Sequence, residues 1–325
     1  MANEIYFNAR CKVLESKLIS LQNLYSLANV KSLQEAVSIL NELEILKGVK
    51  VKNYKDLLQI LDREENDFAE FLLRNTPNEN ISKFFILKYD YFNIESLFIS
   101  NKLSLKEPEN LIEGSIKIST IKKLLEKENY KLFSKELQNC LQYGSLLFKS
   151  SKQSGFLIDT MFKKALSEER SFYAKKNIHL SKIYSFIIDS TNIQNALRFR
   201  DYNIFNQIKL KNGTLDDAFF KSLCENDFNQ ILLDVKFTTY SKPIQLIINA
   251  IKANESMRKF EFMVDCYPIT YLNDYKFDAN HNVPYIKYCY LKQTELINLR
   301  IIIEGLMSNR DKNIICEEIR RVYAE

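Results

Sequence analysis

The side chains that could do chemistry in this chain are few and widely spaced. Its two histidines, His179 and His281, cannot make a His-rich metal centre and give little to His-based catalysis. His179 lies in Lys176-Asn177-Ile178-His179-Leu180, which reads as the approach to a helix and a packing or surface place. His281 lies in Asp278-Ala279-Asn280-His281-Asn282, a polar turn in which it is solvated. The adjacent carboxylates Asp216-Asp217 and Glu317-Glu318 have the residue types for general acid–base work. Their settings read instead as helix-start charge and a solvated face. No Walker sequence, GxGxxG, HExxH or GxSxG occurs. Cys11, Cys140, Cys224, Cys266, Cys289 and Cys316 form no CxxC pair and read as reduced, mostly buried thiols of a cytoplasmic protein. Tyr267, Tyr271, Tyr275, Tyr285, Tyr288 and Tyr290 could stack on a single strand of nucleic acid. Only Lys276, Lys287 and Lys292 accompany them, so packing of a long irregular connection is the better reading. No catalytic, cofactor-binding or metal-binding residue is expected.

One pattern recurs. Asp90-Tyr91-Phe92-Asn93-Ile94, Asp189-Ser190-Thr191-Asn192-Ile193 and Glu295-Leu296-Ile297-Asn298-Leu299 each read acid-x-x-Asn-aliphatic. Large apolar residues follow: Leu97 and Phe98, Leu197 and Phe199, Ile302 and Ile303. Ser82-Lys83 and Ser181-Lys182 precede the first two copies in matching register, and Gly114-Ser115 and Gly213-Thr214 follow their Asn by 21 residues. Asn93 to Asn192 is 99 residues and Asn192 to Asn298 is 106, which predicts threefold duplication of a helical unit of that size. The units run 1–113, 114–212 and 213–325, the third shortened after Asn298, since its next glycine is Gly305. On a helix the acid and the Asn share a face. They read as polar cross-links between core helices, with three related functional sites as the alternative.

The elements that must carry these pairs are helices. Gly (6) and Pro (5) are too scarce for a many-turned β protein. Leu14, Leu18 and Leu21 make one apolar stripe, and Ser32-Leu33-Gln34-Glu35 is a capping box followed by Ala36, Ile39 and Leu40. Leu57, Leu58, Leu61, Phe68, Phe71 and Leu72 suggest two short helices. Ile315, Ile319 and Val322 make a last one, with Arg320 and Arg321 suiting its C-terminal dipole. The best strand candidate is Val235–Tyr240, alone and short. The fold class is all-α. With 46% hydrophobic and 27% charged residues, the 325-residue chain is globular and long enough for two to three domains. A net charge of +5 spread along the chain is no nucleic-acid footprint. The N-terminus lacks signal-peptide regions, and no apolar run approaches the ~20 residues of a membrane span.

Three segments resemble the C subunit of the archaeal and bacterial V/A-type rotary ATPases, relative of the eukaryotic vacuolar d subunit. They are Tyr6-Phe7-Asn8-Ala9-Arg10, then Asp90–Ile94, and Glu295–Ile303 with Glu317-Glu318-Ile319-Arg320. Phe92 stands where many relatives carry histidine, and Asn309 to Asn313 replace a more apolar or Gly-containing turn. The resemblance implies three similar helical domains around a pseudo-threefold axis, forming a funnel. It implies a non-catalytic rotor subunit, without cofactor or metal, on the cytoplasmic face of the membrane, one copy per complex. Its partners would be the central-stalk shaft and the membrane rotor ring, linking ATP hydrolysis or synthesis to proton or sodium transport. The alternatives from residues alone are a generic helical adaptor binding protein partners and a basic nucleic-acid binder. An adaptor solenoid would repeat every ~34–47 residues.

Overall fold

A computed structural model describes residues 2–74, 76–149, 155–278 and 281–320. Among them are sixteen helices and no strand, as the all-α reading expects. Packing divides the chain into two units, Met1–Pro77 with Asp265–Glu325, and Asn78–Val264.

The N-terminal segment holds α1 (Ala2–Glu15), α2 (Leu21–Ala28), α3 (Leu33–Glu42) and α4 (Tyr54–Leu73). The stripe Leu14, Leu18, Leu21 does not lie on one helix. α1 stops at Glu15, and Ser20 starts α2 by accepting the Asn23 N–H at 3.2 Å. Ser32 caps α3 through the Glu35 N–H, while the Glu35 carboxylate reaches past Ser32 to the Lys31 N–H at 2.7 Å. The two short helices expected from Leu57 to Leu72 are one, α4. Asn53 and Asp56 cap it reciprocally, and its interior has no Gly or Pro to break it.

The second unit opens on α5 (Glu79–Lys102), α6 (Ile118–Glu126), α7 (Lys135–Lys149) and α8 (Gly155–Ala174). It continues through α9 (Ile178–Phe199), α10 (Tyr202–Ile208), α11 (Asp217–Glu225), α12 (Phe228–Asp234) and α13 (Ser241–Ala253). Asn78 caps α5 and Asn177 caps α9 in the same register, each accepting from the N–H groups two and three residues on. The segment Val235–Tyr240 is a run of turns. Thr238 N–H bonds Val235 C=O at 2.9 Å, and the turns let Val235 and Tyr240 both reach the core. α14 (Arg258–Asn273) ends in the first unit, which closes with α15 (Val283–Met307) and α16 (Lys312–Glu318). The tyrosines at 267–290 thus stand mainly on two helices rather than on an irregular connection. Tyr267, Tyr271 and Tyr275 stack in file at 6.0 and 4.9 Å, and Tyr285, Tyr288 and Tyr290 are buried on α15. α16 ends at Glu318, before Ile319, although Ile315 and Ile319 are both buried as expected. Val322 and Arg321 lie outside the described residues.

Among the described residues, three apolar cores each centre on one long helix just past its Asn. Ile94, Leu97 and Phe98 of α5 meet α6, α7 and α8. Ile193, Ala196 and Leu197 of α9 meet α10 to α13. Leu299, Ile302 and Ile303 of α15 meet α2, α3, α4 and α16. Within the second unit Arg170 of α8 donates to Phe84 C=O at 3.0 Å and lies over the Phe84 and Tyr184 rings, tying α5, α8 and α9. Along α4 and α15 the rings of Phe68 and Phe71 meet Tyr288 edge-on, and Arg300 donates to Asp62 at 2.8 Å and Glu65 at 3.1 Å.

Glu95 on α5 is a cost built into this packing. Burial, then Asp159, push its carboxyl up to about 7 against the pull of Lys163. Its folded pKa is therefore raised above the unfolded value. The stability this lends is full below the ordinary glutamate pKa and is lost as pH rises through about 7. Glu95→Gln should raise the urea midpoint at pH 8 and leave it nearly unchanged at pH 4, flattening the decline between them. A midpoint at pH 8 equal to wild type would contradict this. Gly305 on α15 has a second structural requirement, since a Cβ there would sit 2.7 Å from Ile315 Cγ1 of α16. Gly305→Ala should cost about 1–3 kcal/mol in denaturant unfolding, and less when combined with Ile315→Ala than when made alone.

Candidate functional site

The three acid-x-x-Asn pairs occupy α5, α9 and α15, and all six side chains are 3% exposed or less. A polar group so buried must find partners inside the protein. Each Asn finds the same ones: both backbone groups of a single residue downstream. Asn93 Nδ2 donates to Ile112 C=O at 2.6 Å and its Oδ1 accepts Ile112 N–H at 3.3 Å. Asn192 does this to Leu210 at 2.8 and 2.9 Å. Asn298 does it to Arg320 at 3.1 and 2.8 Å. The amide acts as a short piece of strand, pairing with a residue outside the helices that helix hydrogen bonding cannot serve. This pairing holds Arg320 outside α16. Arg320 itself turns back, its guanidinium donating to Glu318 C=O at 2.7 Å and to Asp265 at 3.0 Å.

The acid takes the next turn of chain. Asp90 accepts Ser115 Oγ at 2.5 Å and Ile116 N–H at 3.0 Å. Asp189 accepts Thr214 N–H and Oγ1 at 2.9 and 2.6 Å, Leu215 N–H at 3.3 Å, and Tyr240 OH at 2.9 Å. Glu295 accepts Ile19 N–H at 2.7 Å. Ile116, Leu215 and Ile19 each stand two residues before a helix begins, α6, α11 and α2. The register is therefore common to all three, and the third pair spans the two ends of the chain. Asn298 holds the C-terminal Arg320, while Glu295 holds the N-terminal Ile19. The helix that the third acid holds, α2, stands earlier in the chain than its motif.

Gly114 and Gly213 are explained by the same contact. A Cβ on either would overlap the acid's Oδ1 and crowd its Cγ. The third copy has no such glycine beside it and uses Glu, one methylene longer, to reach Ile19. Lys292 Nζ donates to the second oxygen of Glu295 at 2.7 Å and to Glu64 at 3.3 Å, a counter-ion that spacing alone does not reveal. Among the described residues Asp90 has no such cation. Burial pushes its carboxyl up to about 6, against the hydrogen bonds from Ser115 and Ile116.

The remaining chemistry-bearing residues serve their own helix ends and turns. His179 is buried in the first turn of α9, its N–H taken by Asn177 at 3.0 Å. His281 Nδ1 lies 2.8 Å from Asp278 in an exposed turn. Asp216 caps α11 and Asp217 pairs with Lys209 beside it. Glu317 is exposed, whereas Glu318 is half-buried and accepts from Arg310 at 2.8 Å. Cys11, Cys140, Cys224 and Cys289 are buried free thiols, and burial pushes Cys11 and Cys140 up to about 12. Phe7 is buried against Phe71 and Tyr285, while Tyr6 is exposed and Arg10 lies 6.0 Å from the Phe71 ring. Phe92 is 42% exposed, so the departure there changes the surface and not a core.

Removing one amide tests whether the clamp carries stability. Asn192→Ala leaves Leu210 N–H and C=O without their partner and should lower the unfolding free energy by about 1–3 kcal/mol. Gly213→Ala should also destabilise, because Asp189 or the Gly213 backbone must give way. In the Asp189→Ala background the same glycine change should cost less than in wild type, a coupling that denaturant titration of the double-mutant cycle measures. Additive effects would show that the two residues do not press on each other.

Among the described residues no helix is long and apolar enough to cross a membrane. The chain is 22% identical over 351 aligned positions to the C subunit of the A-type ATP synthase of Methanocaldococcus jannaschii, an alignment covering 98% of this chain and 86% of that protein. The profile of the ATP synthase (C/AC39) subunit family matches residues 7–318, from the aromatic start of α1 to the end of α16, and the chain belongs to that family.

Proposed function

We propose that this chain is the non-catalytic rotor coupling of a V/A-type ATPase. It joins the central shaft to the membrane rotor ring, so that ATP hydrolysis or synthesis is linked to proton or sodium movement. It works at the cytoplasmic face, peripheral to the membrane, one copy per complex, and makes no bond in the reaction. The observation that carries this reading is the family match over residues 7–318. The archaeal relative, named as a component of an A-type ATP synthase, supports the kind of complex. The buried clamps support the kind of work, because torque transmission asks for a body whose long helices are cross-linked rather than for a reactive cleft.

We read the chain further as three copies of one helical unit, cut in sequence near Gly114 and Gly213. The shared clamp register and the three cores support this. They also support assigning the downstream half of the third copy to the N-terminal segment, since Glu295 bonds Ile19.

Reconstitution tests the coupling. Membrane sector and soluble sector are mixed with and without the chain. Without it, ATP hydrolysis by the soluble sector should persist while ion pumping is lost, and adding the chain back should restore pumping. Pumping that survives complete removal, or ATP turnover by the purified chain alone, would overturn the reading.

A further inference from the structure

The second unit carries an open groove of ≈ 580 Å³ over α8, walled by α7 and α10. Its rims are aromatic and aliphatic. Tyr143 on α7, Phe156 on α8 and Ile204 on α10 remain 53%, 52% and 41% exposed. Its floor is Met161, Ala165 and Ile208. From Leu157 to Glu168 the lining follows α8 for about three turns, roughly 16 Å at helical rise. A trough of that length, apolar along its bed and open along its top, has the form that receives a helix.

A charge marks the groove's chemistry. Lys164 lies half-buried in the lining and donates to Gln207 C=O at 2.9 Å. Among the described residues no carboxylate pairs with it. Of the two carboxylates in the lining, Glu136 and Glu168, the second is taken by Lys211 at 3.0 Å. Burial, then the charge of Lys211, hold the Lys164 pKa below the usual lysine value, against the opposing field of Glu168. Lys135 adds a third ammonium to the lining. An arriving carboxylate would relieve both the unpaired charge and its repulsion from Lys211.

We propose that this groove docks one amphipathic helix of a neighbouring subunit, its apolar face seated between α7 and α10 and a carboxylate of its edge on Lys164. The proposal rests on the coupling reading only in taking the occupant from the same complex. It is tested with the full chain, titrated separately with the soluble sector and the membrane sector prepared without it. Wild type should bind at least one sector. Lys164→Glu and Phe156→Asp should each weaken that binding tenfold or more, with unchanged helicity by circular dichroism. Lys236→Glu, on the turn far along the chain after α12, should bind as wild type. Backbone amides of α8 and α10 should gain hydrogen-exchange protection in the complex. If wild type binds and both groove variants bind equally well, or if α8 gains no protection, the groove is not the docking site and coupling stands. If wild type binds neither sector, the coupling reading fails and the groove loses its occupant with it. If the chain instead self-associates in sedimentation and Phe156→Asp abolishes that, a second copy is the occupant and the proposal is wrong.

Discussion

A buried side-chain amide pairing with both backbone polar groups of one residue outside the helices is the contact on which this architecture turns. A helix satisfies its own backbone, so helical proteins are short of ways to hold the chain where it leaves a helix. Asn93, Asn192 and Asn298 solve this by lending the loop a strand's hydrogen bonds from a helix face. The loop can then cross the long helix closely, and the neighbouring acid fixes the start of the next helix. Apolar packing alone would leave Ile112, Leu210 and Arg320 with unsatisfied amides against a buried surface, at a cost of the order of 1–3 kcal/mol for each lost partner.

The acid's chemistry differs among the copies in a way that follows from what surrounds it. Asp189 gathers two backbone N–H groups, a hydroxyl from Thr214 and the Tyr240 phenol. Glu295 gathers one N–H and an ammonium, Lys292, which also serves Glu64. Asp90 has Ser115 and Ile116, and burial outweighs them, so its carboxyl is pushed up. The same geometric task is met with neutral donors in one place and with a cation in another. That variation argues against a shared reaction at the three sites, since a catalytic acid needs one electrostatic setting and these have three.

The helices, and the burial of the acid–Asn pairs on them, were legible because both depend on local spacing, although the pairs hold connecting chain rather than a neighbouring helix. Acid and Asn three apart on a helix must share a face, and burial follows from the aliphatic residues beside them. The glycines at Asn93 plus 21 and Asn192 plus 21 were visible as a register, but their cause was not, because it is the volume of a carboxylate arriving from another helix. What sequence order hid was the helix start that Glu295 holds. A search downstream of Asn298 meets Gly305, whose role is to let Ile315 of α16 approach, and then the chain ends. The partner helix α2 precedes the motif by more than 250 residues, and a register read in one direction cannot find it. The misread ends have the same origin. Leu14, Leu18 and Leu21 keep helical spacing across a break made by the Ser20 cap. Ile315 and Ile319 keep it past the end of α16.

The reach of the third acid–Asn pair to both Ile19 and Arg320 has a mechanical consequence for the proposed coupling role. In the first two copies the clamp joins segments that the chain already connects, so losing it loosens a loop. In the third, Asn298–Arg320 likewise joins connected chain, whereas Glu295 holds Ile19 from 276 residues away, and noncovalent contact keeps that segment on α15. The α4–α15 seam reinforces this with Arg300 on Asp62 and Glu65 and with the ring contacts of Phe71. A body asked to carry torque is limited by its least connected joint. The extra ionic contacts of Lys292 and Arg300 lie in the one copy whose backbone does not run through the joint, where stiffness must come from side chains alone.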